Sequence, residues 1–151
     1  MRDKAYTVFS SERGRSPVRK RRFAMAQRIL VIDDTQEILD LLRTILEKDG
    51  YEVHVVRYVF EDLHEIEQLH PDLIILDFMI GKQNEGWQML QKLKTYPPTA
   101  SIPLMITSVA MSLVSEQQNY FDQRGIPRLP KPFDVDYLLQ TVHQMLQPDS
   151  G

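Results

Sequence analysis

Five polar residues in this sequence each follow a short apolar run, and together their side chains could bind a cation and a phosphoryl group. They are Asp33, Asp34, Asp77, Ser108 and Lys131. Three carboxylates in one partly desolvated pocket repel one another unless a divalent cation lies among them. Because the set contains no His or Cys, it favours a hard ion such as Mg²⁺. One lysine and one hydroxyl complete the groups that phosphoryl transfer needs, and a carboxylate can itself be the nucleophile.

The elements that would hold these residues together are predicted from apolar periodicity. Continuous apolar runs, which are typical of buried parallel strands, alternate with apolar residues at helical spacing. The predicted strands are 29–32, 51–56, 73–76, 102–106 and a short segment near 128–129. The alternation predicts an α/β fold, a (βα)5 doubly wound five-stranded parallel sheet with helices on both faces. Ligands in such sheets bind at the carboxyl ends of the strands, where the five polar residues fall.

Helix boundaries are predicted from capping residues and prolines. Asp34 with Glu37 has the spacing of a capping box for the first helix, and Asp134 can cap the last. The Pro97-Pro98 pair is expected to stop the third helix. The predicted helices cover about 38–46, 60–69, 87–96, 112–121 and 135–146. Helix capping is also the structural alternative to metal binding for the two adjacent acids that follow the first strand.

Length and composition limit the classes of protein to which this chain can belong. Its 151 residues suffice for one domain of ordinary size. It contains no cysteine, which excludes disulfides, thiol nucleophiles and cysteine-ligated metals. The longest apolar runs have four residues, far short of the roughly 20 that cross a bilayer. Because the N-terminus also lacks the apolar block of a secretory signal, we expect a cytoplasmic protein.

The charged residues are unevenly distributed along the chain. Residues 1–24 contain eight Lys/Arg and two acidic residues, whereas residues 25–151 contain ten basic and nineteen acidic side chains. We therefore expect a basic, disordered N-terminal extension at 1–26, a folded domain at 27–147 and a C-terminal tail at 148–151. The basic run at 19–22 could contact nucleic acid or an anionic membrane, but a solvated extension is favoured. Neither a specific nucleic acid nor a membrane is predicted as a partner.

The motifs taken together resemble the receiver domain of two-component response regulators, in particular the single-domain chemotaxis regulators. The resemblance covers about residues 27–147 and rests on Asp33-Asp34, Asp77, Ser108 at the end of the 103–108 segment, and the Lys-Pro-Phe motif at 131–133. It implies a flavodoxin-like receiver fold in which Asp77 accepts a phosphoryl group. It also implies that Ser108 is the switch hydroxyl. Lys131 would bind a phosphoryl oxygen and would pair with Asp77 before phosphorylation.

The same resemblance implies a Mg²⁺ site. Asp34 would be a direct ligand, and Asp33 would bind the ion directly or through water. Asp77 and the backbone carbonyl of Met79 would complete the protein ligands. The peptide bond before the proline at 132 is often cis in this family, a point that the sequence leaves open.

Three positions depart from the pattern of the family. Arg128 stands where the switch aromatic usually lies, so the usual inward-swinging ring is missing, and Arg128 can instead pair with an acid. Val109 replaces a small residue beside the switch hydroxyl, which would narrow access to the phosphoryl group and slow its attachment and hydrolysis. The loop that follows Asp77 lacks the usual Met-Pro pair and is one residue longer before Gly86.

A phosphorylation switch is the function that these features favour. A histidine kinase or a histidine phosphotransfer protein would donate a phosphoryl group to Asp77, and the chain would assist the transfer and the later hydrolysis without being an enzyme. Since the sequence ends soon after the last predicted helix, we expect output through a partner bound around the fourth and fifth helices and the fifth strand. The protein would be a monomer or a phosphorylation-dependent dimer, and either a terminal output or a relay intermediate.

Two alternatives keep the same fold. One is a phosphorylation-independent interaction module, in which Arg128 and Val109 mark the loss of a working switch. The other, ranked last, is an aspartate-nucleophile phosphatase, which would need a second carboxylate where Met79 stands.

Overall fold

A parallel β-sheet lies at the centre of the part of the chain that the computed structural model describes, namely residues 26–57, 62–78, 85–108 and 117–147. Its strands are β1 (Arg28–Ile32), β2 (Glu52–Val56), β3 (Leu73–Asp77), β4 (Leu104–Ser108) and β5 (Arg128–Pro130). The helices described are α1 (Gln36–Lys48), α2 (Leu63–Leu69), α3 (Glu85–Thr95), α4 (Pro97–Ala100), α5 (Gln118–Arg124) and α6 (Val135–Leu146). The strands pair in parallel in the order β2-β1-β3-β4-β5, which confirms the predicted fold class.

Helices cover both faces of the sheet, because successive strand residues point to opposite sides. In β1, Leu30 and Ile32 join an apolar cluster with residues of α2, α3 and α5. Ile29 and Val31 join a second cluster with residues of α1 and α6. Burial of apolar surface is the main favourable term in folding, so this two-sided packing fixes the register of the central strands. The register of these strands in turn determines where each strand ends.

The strand order places a crevice at one edge of the sheet. From β1 the chain goes to β2 on one side, and β3, β4 and β5 then lie on the other side. This change of direction is the topological switch point at which open α/β sheets bind ligands. The aligned pairs near the carboxyl ends of the strands are Ile32 with Leu76, Asp77 with Thr107, and Ser108 with Pro130. We call this side of the sheet the carboxyl edge and the opposite side the amino edge.

The helix ends agree with the sequence predictions in some places and not in others. Asp134 caps α6 as predicted, since its Oδ1 accepts a hydrogen bond from Tyr137 N at 3.1 Å. The predicted capping box of α1 is wrong, because the N-cap is Thr35 and its side chain makes no capping hydrogen bond. The Pro97-Pro98 pair follows the end of α3 as expected. It also begins α4, because proline fits the first turn of a helix.

Some sequence predictions fall outside the described residues. They concern the basic extension up to residue 25, the tail at 148–151, residues 60–61 and 112–116 of two predicted helices, and the positions of Met79 and Val109. Within the described residues, α5 continues to Arg124 and ends at Gly125, past the predicted end at 121. None of the helices in the described ranges is long and apolar enough to cross a membrane.

Candidate functional site

The carboxyl edge brings together side chains from the ends of four strands. Asp33 follows β1, Asp77 is the last residue of β3, Ser108 is the last residue of β4, and Lys131 follows β5. The carboxylates are almost fully buried, with relative exposures of 1% for Asp33 and 6% for Asp77, and Ser108 is 1% exposed. Strand pairing therefore places these residues where the sequence predicted.

The ammonium group of Lys131 lies close to both buried acids. Lys131 Nζ is 2.7 Å from Asp33 Oδ2 and 3.4 Å from Asp77 Oδ2. The lysine side chain is only 12% exposed, so water screens these interactions weakly. The pairing with Asp77 agrees with the resemblance, but the shorter contact is to Asp33, which the sequence did not predict. Lys131 is thus an ammonium partner of both buried carboxylates.

Both oxygens of the Asp33 carboxylate have a defined role. Oδ2 accepts the hydrogen bond from Lys131, and Oδ1 accepts one from Thr35 N at 2.9 Å. Asp33 N donates in turn to Val56 O at 3.0 Å, which anchors the residue to the neighbouring strand β2. The acid that turns toward the main chain before α1 is therefore Asp33, not the Asp34 of the predicted capping box. These bonds fix the orientation of the Asp33 carboxylate at the carboxyl edge.

The backbone at the ends of β4 and β5 positions Lys131. Lys131 N donates to Ser108 O at 3.2 Å, which extends the pairing between Ser108 and Pro130 by one residue. The Lys131–Pro132 peptide bond is cis. A backbone hydrogen bond thus joins Ser108 and Lys131 at the carboxyl edge.

A close contact between α3 and β3 determines the backbone that follows Asp77. Phe78 N donates to Thr107 O at 2.8 Å. A Cβ atom added to Gly86 would lie 2.8 Å from Asp77 O and would overlap Phe78 O. Only glycine fits there, because the first turn of α3 lies directly against the main chain of the acidic residue. The sequence pattern places Gly86 in the loop before the predicted third helix, and its position next to the helix start is the signal that it could be required there.

The donor set fits Mg²⁺ in its chemistry. Asp33 and Asp77 offer carboxylate oxygens, and Mg²⁺ commonly binds through one or two carboxylates while it keeps several waters. Among the described residues, no three His, Cys, Asp or Glu side chains gather closely enough to hold a metal ion. Asp34 is exposed at the same edge, and Met79 lies outside the described residues. The described part therefore shows two buried carboxylates close to Lys131, with the exposed Asp34 next to Asp33 in the chain.

Arg128, the first residue of β5, contacts residues of α5 through its side chain. Its Nη1 is 3.5 Å from Asp122 Oδ1, and its guanidinium carbon lies 5.9 Å from the centre of the Phe121 ring. Tyr137 Oη donates to Arg128 O at 3.3 Å. The sequence expectation that Arg128 pairs with an acid is thereby met, and the acid is Asp122 from α5.

Comparisons with known proteins agree with this geometry. Residues 29–143 match the response regulator receiver domain family. The chain belongs to that family. It is 36% identical over 120 residues to the DNA-binding dual master transcriptional regulator RpaA of Synechocystis, which covers 80% of this chain and 49% of that protein. It is 31% identical over 130 residues to the response regulator MprA of a Mycobacterium species, which covers 84% of this chain and 55% of that protein.

Solved receiver structures share the fold. A CheY-like receiver domain protein from Methanospirillum hungatei superposes with a TM-score of 0.69 at 28% identity and covers 82% of this chain and 95% of its own. The chemotaxis protein CheY4 of Vibrio cholerae has a TM-score of 0.69 at 23% identity, covers 80% of this chain and 99% of its own, and shows likeness in fold alone. The family assignment makes the chain a receiver domain of two-component systems and a signalling protein. The chain spans about half the length of the two relatives named above.

Proposed function

We propose that this receiver domain takes a phosphoryl group onto Asp77 from a histidine kinase or a histidine phosphotransfer protein. The observation that carries the proposal is the buried triad at the carboxyl edge, in which one lysine ammonium lies within 3.4 Å of Asp77 and 2.7 Å of Asp33. Two buried carboxylates and one ammonium form a site that accepts further positive charge and can orient a phosphoryl group.

The proposed reaction is an in-line transfer. An oxygen of the Asp77 carboxylate attacks the phosphorus atom of a phosphohistidine, a P–O bond forms, and the P–N bond breaks. The leaving imidazole takes up a proton from solvent, so the donor histidine is regenerated in its neutral form. Hydrolysis of the resulting acyl phosphate later releases inorganic phosphate and restores the carboxylate, and we propose that the same side chains assist this step.

Each neighbouring group has a role in the proposal. Lys131 turns its ammonium from the two carboxylates to a phosphoryl oxygen, a short movement since its Nζ already lies 3.4 Å from Asp77. The Ser108 hydroxyl binds a second phosphoryl oxygen. A bound Mg²⁺ would supply positive charge that offsets the charges of the carboxylates and the phosphoryl group. Asp33 and Asp77 would hold it, with Asp34 and the Met79 carbonyl as further proposed ligands.

The proposed output of the switch is a change in the binding of a partner protein or domain. Relatives such as RpaA are described as DNA-binding, but this chain matches only about half of that protein. We propose that phosphorylation changes which partner protein or domain the chain binds, with the chain as a monomer or a phosphorylation-dependent dimer in the cytoplasm. Residues 27–147 would form the receiver unit, and the basic residues of 1–26 would give no sequence-specific contact with DNA.

A phosphorylation-independent interaction module is the second candidate. It is favoured by Arg128, which replaces the usual switch aromatic and pairs with Asp122 of α5. Such a module would have no need for Mg²⁺, so a protein that fails to bind the ion at millimolar concentration would support this candidate.

Incubation with acetyl phosphate and Mg²⁺ tests the main proposal. Intact-mass measurement is expected to show one added phosphoryl group in the wild type and none in Asp77→Asn. The matched control is Asp72→Asn, which alters an acid at the amino edge and should leave the mass gain intact. A mass gain that survives Asp77→Asn, or its absence in the wild type, would reject Asp77 as the acceptor.

A further inference from the structure

Four aromatic side chains form one contiguous cluster that begins at the residue after Asp77. We call Phe78, Trp87, Tyr120 and Phe121 the aromatic cluster. The ring centres are 6.1 Å apart for Phe78 and Trp87, 5.9 Å for Phe78 and Phe121, and 5.0 Å for Trp87 and Tyr120. The interplanar angles of these pairs are 72°, 83° and 68°, the edge-to-face geometry that aromatic pairs favour. The cluster links the end of β3 to both α3 and α5.

One end of the aromatic cluster is tied to the backbone at the acidic site. Phe78 is buried, and its N–H donates to Thr107 O at 2.8 Å. Trp87 is the residue after Gly86, whose position allows no atom beyond hydrogen next to the carbonyl groups of Asp77 and Phe78. A shift of the main chain at Asp77 therefore displaces Phe78 and the first turn of α3 together.

The other end of the aromatic cluster reaches an exposed cation. The guanidinium carbon of Arg124 lies 3.7 Å from the centre of the half-buried Tyr120 ring, and Arg124 Nη1 donates to Tyr120 O at 3.4 Å. Arg124 is exposed on the last turn of α5. The tilt of the Tyr120 ring thus decides where this positive charge is presented to solvent.

Arg128 stands on β5 at the position of the family's usual switch aromatic, and its side chain has no ring. Arg128 is engaged by Asp122, and its carbonyl accepts a hydrogen bond from Tyr137. The two contacts come from α5 and α6, which cover opposite faces of the sheet. A conformational readout in this chain consequently needs other side chains, and the aromatic cluster is in contact with the backbone that phosphorylation would move.

We propose that phosphorylation of Asp77 is transmitted to the Tyr120–Arg124 surface of α5 through the aromatic cluster, with Trp87 and Tyr120 as positioning residues. This inference rests on the proposed phosphorylation of Asp77. Close-packed rings exchange between discrete arrangements, so a small backbone shift at Phe78 becomes a changed ring orientation at Tyr120.

Hydrogen exchange of the α5 amides, 118–124, tests the route in the full chain with excess acetyl phosphate and Mg²⁺. The extent of phosphorylation is measured by intact mass in the same samples. In the wild type we expect the exchange rates in α5 to change by about threefold or more on phosphorylation. In Trp87→Leu and Tyr120→Leu the mass gain should remain, while the change in α5 exchange is lost.

Conservative and matched variants separate the route from simple loss of packing. Tyr120→Phe keeps the ring and should keep the response of α5. Tyr137→Phe removes the hydroxyl that holds Arg128 and should also leave the response intact, because it lies outside the aromatic cluster. Tyr120→Leu is the decisive variant if Trp87→Leu is unfolded by circular dichroism, since Tyr120 is only half-buried.

The outcomes distinguish the two proposals. A wild type with no mass gain overturns the proposed function, whatever α5 does. A wild type that gains the phosphoryl group while α5 exchange is unchanged overturns the aromatic route alone. A response of α5 that persists in Tyr120→Leu, or that disappears in Tyr137→Phe, also overturns it.

Discussion

The two edges of the sheet carry similar types of charged residue in different surroundings. At the amino edge, Arg28 pairs with Glu52 at 3.0 Å and donates to Leu69 O, and its N–H donates to Asp72 Oδ2 at 2.7 Å. The Glu52 side chain is 44% exposed there, so water screens the pair. At the carboxyl edge, Asp33 and Asp77 are at most 6% exposed and share one lysine.

The difference shows that burial, more than the number of charges, distinguishes a reactive site from a structural one. Exposed ion pairs contribute about 0–1 kcal/mol to the free energy of unfolding. An excess of one charge is tolerated there, because water solvates the unpaired group. Buried like charges that lack full compensation reduce stability, and proteins keep them where function requires them. The carboxyl edge therefore concentrates buried negative charge that a bound cation would offset.

The largest expected contrast between the edges is steric and concerns two glycines. Gly86→Ala should lower the free energy of unfolding by about 3 kcal/mol, because the added Cβ overlaps backbone atoms that cannot move independently of the site. Gly50→Ala, at the amino edge, should cost only about 1 kcal/mol, since its Cβ meets no atom within 4 Å and only the positive φ of 97° opposes it. Urea unfolding measures both, and equal costs would contradict the account of Gly86.

The same substitution should have opposite effects at the two edges. Asp77→Asn removes one of two buried negative charges and should raise the free energy of unfolding in Mg²⁺-free buffer by about 1–2 kcal/mol. Asp72→Asn weakens the hydrogen bond that Arg28 N donates to residue 72, and it should lower the free energy of unfolding by about 1 kcal/mol. The sign of each change is read from urea melts at pH 7. A loss of stability in Asp77→Asn would contradict the account of buried negative charge at the carboxyl edge.

Mg²⁺ should stabilise only a chain with the intact acidic pair. At ten times its dissociation constant, an ion that binds the native state adds about 1.4 kcal/mol to the free energy of unfolding. We expect this gain in the wild type and in Asp72→Asn, and a much smaller one in Asp77→Asn. Thermal melts with increasing MgCl₂ at constant ionic strength provide the measurement, with CaCl₂ as the comparison ion. A gain of equal size in Asp77→Asn would place the ion elsewhere.

The smallest predicted effect concerns the pH dependence of the amino edge. Burial opposes ionisation of Glu52, but its hydrogen bond with His54 and the charge of Arg28 outweigh that effect and hold the pKa of Glu52 below the ordinary value of 4.5. A lowered carboxyl pKa stabilises the fold above pH 4.5 and loses this contribution as the pH falls through the lowered value.

Glu52→Gln tests this contribution. It should lower the free energy of unfolding at pH 7 by less than about 1 kcal/mol, after allowance for the exposure of the side chain. The difference from wild type should vanish in strongly acidic buffer and shrink at 1 M NaCl. A difference that is independent of pH would show that the carboxylate charge is not the cause.

Most of the fold, and the proximity of Asp33, Asp77 and Lys131 at the carboxyl edge, could be predicted from the sequence. The strands β1, β3 and β4 are buried on both faces, so their apolar pattern is continuous, and polar residues stand at or directly after their carboxyl ends. The sequence could not predict that Asp33, and not Asp34, is the buried acid that pairs with Lys131. The two residues are adjacent and of the same type, and only the direction that the backbone gives each side chain distinguishes them. The shorter contact of Lys131 with Asp33 likewise depends on strand packing, not on spacing along the chain.

Other features depend on contacts between distant segments. Gly86 is required by the approach of α3 to the Asp77 carbonyl, and a glycine near a helix start gives no sign of what lies beside it. The aromatic cluster joins residues from 78 to 121, which share no common period. The helix at 97–100 was missed because two prolines stop one helix in the sequence pattern and can equally begin another.

The position of Trp87 has a practical consequence. It is the chain's one tryptophan, and its ring contacts Phe78, the residue next to Asp77. Indole emission depends on the packing and polarity around the ring, so the protein carries a label-free optical reporter beside its acidic crevice. Stopped-flow mixing can therefore follow events at the crevice in real time without the attachment of a dye.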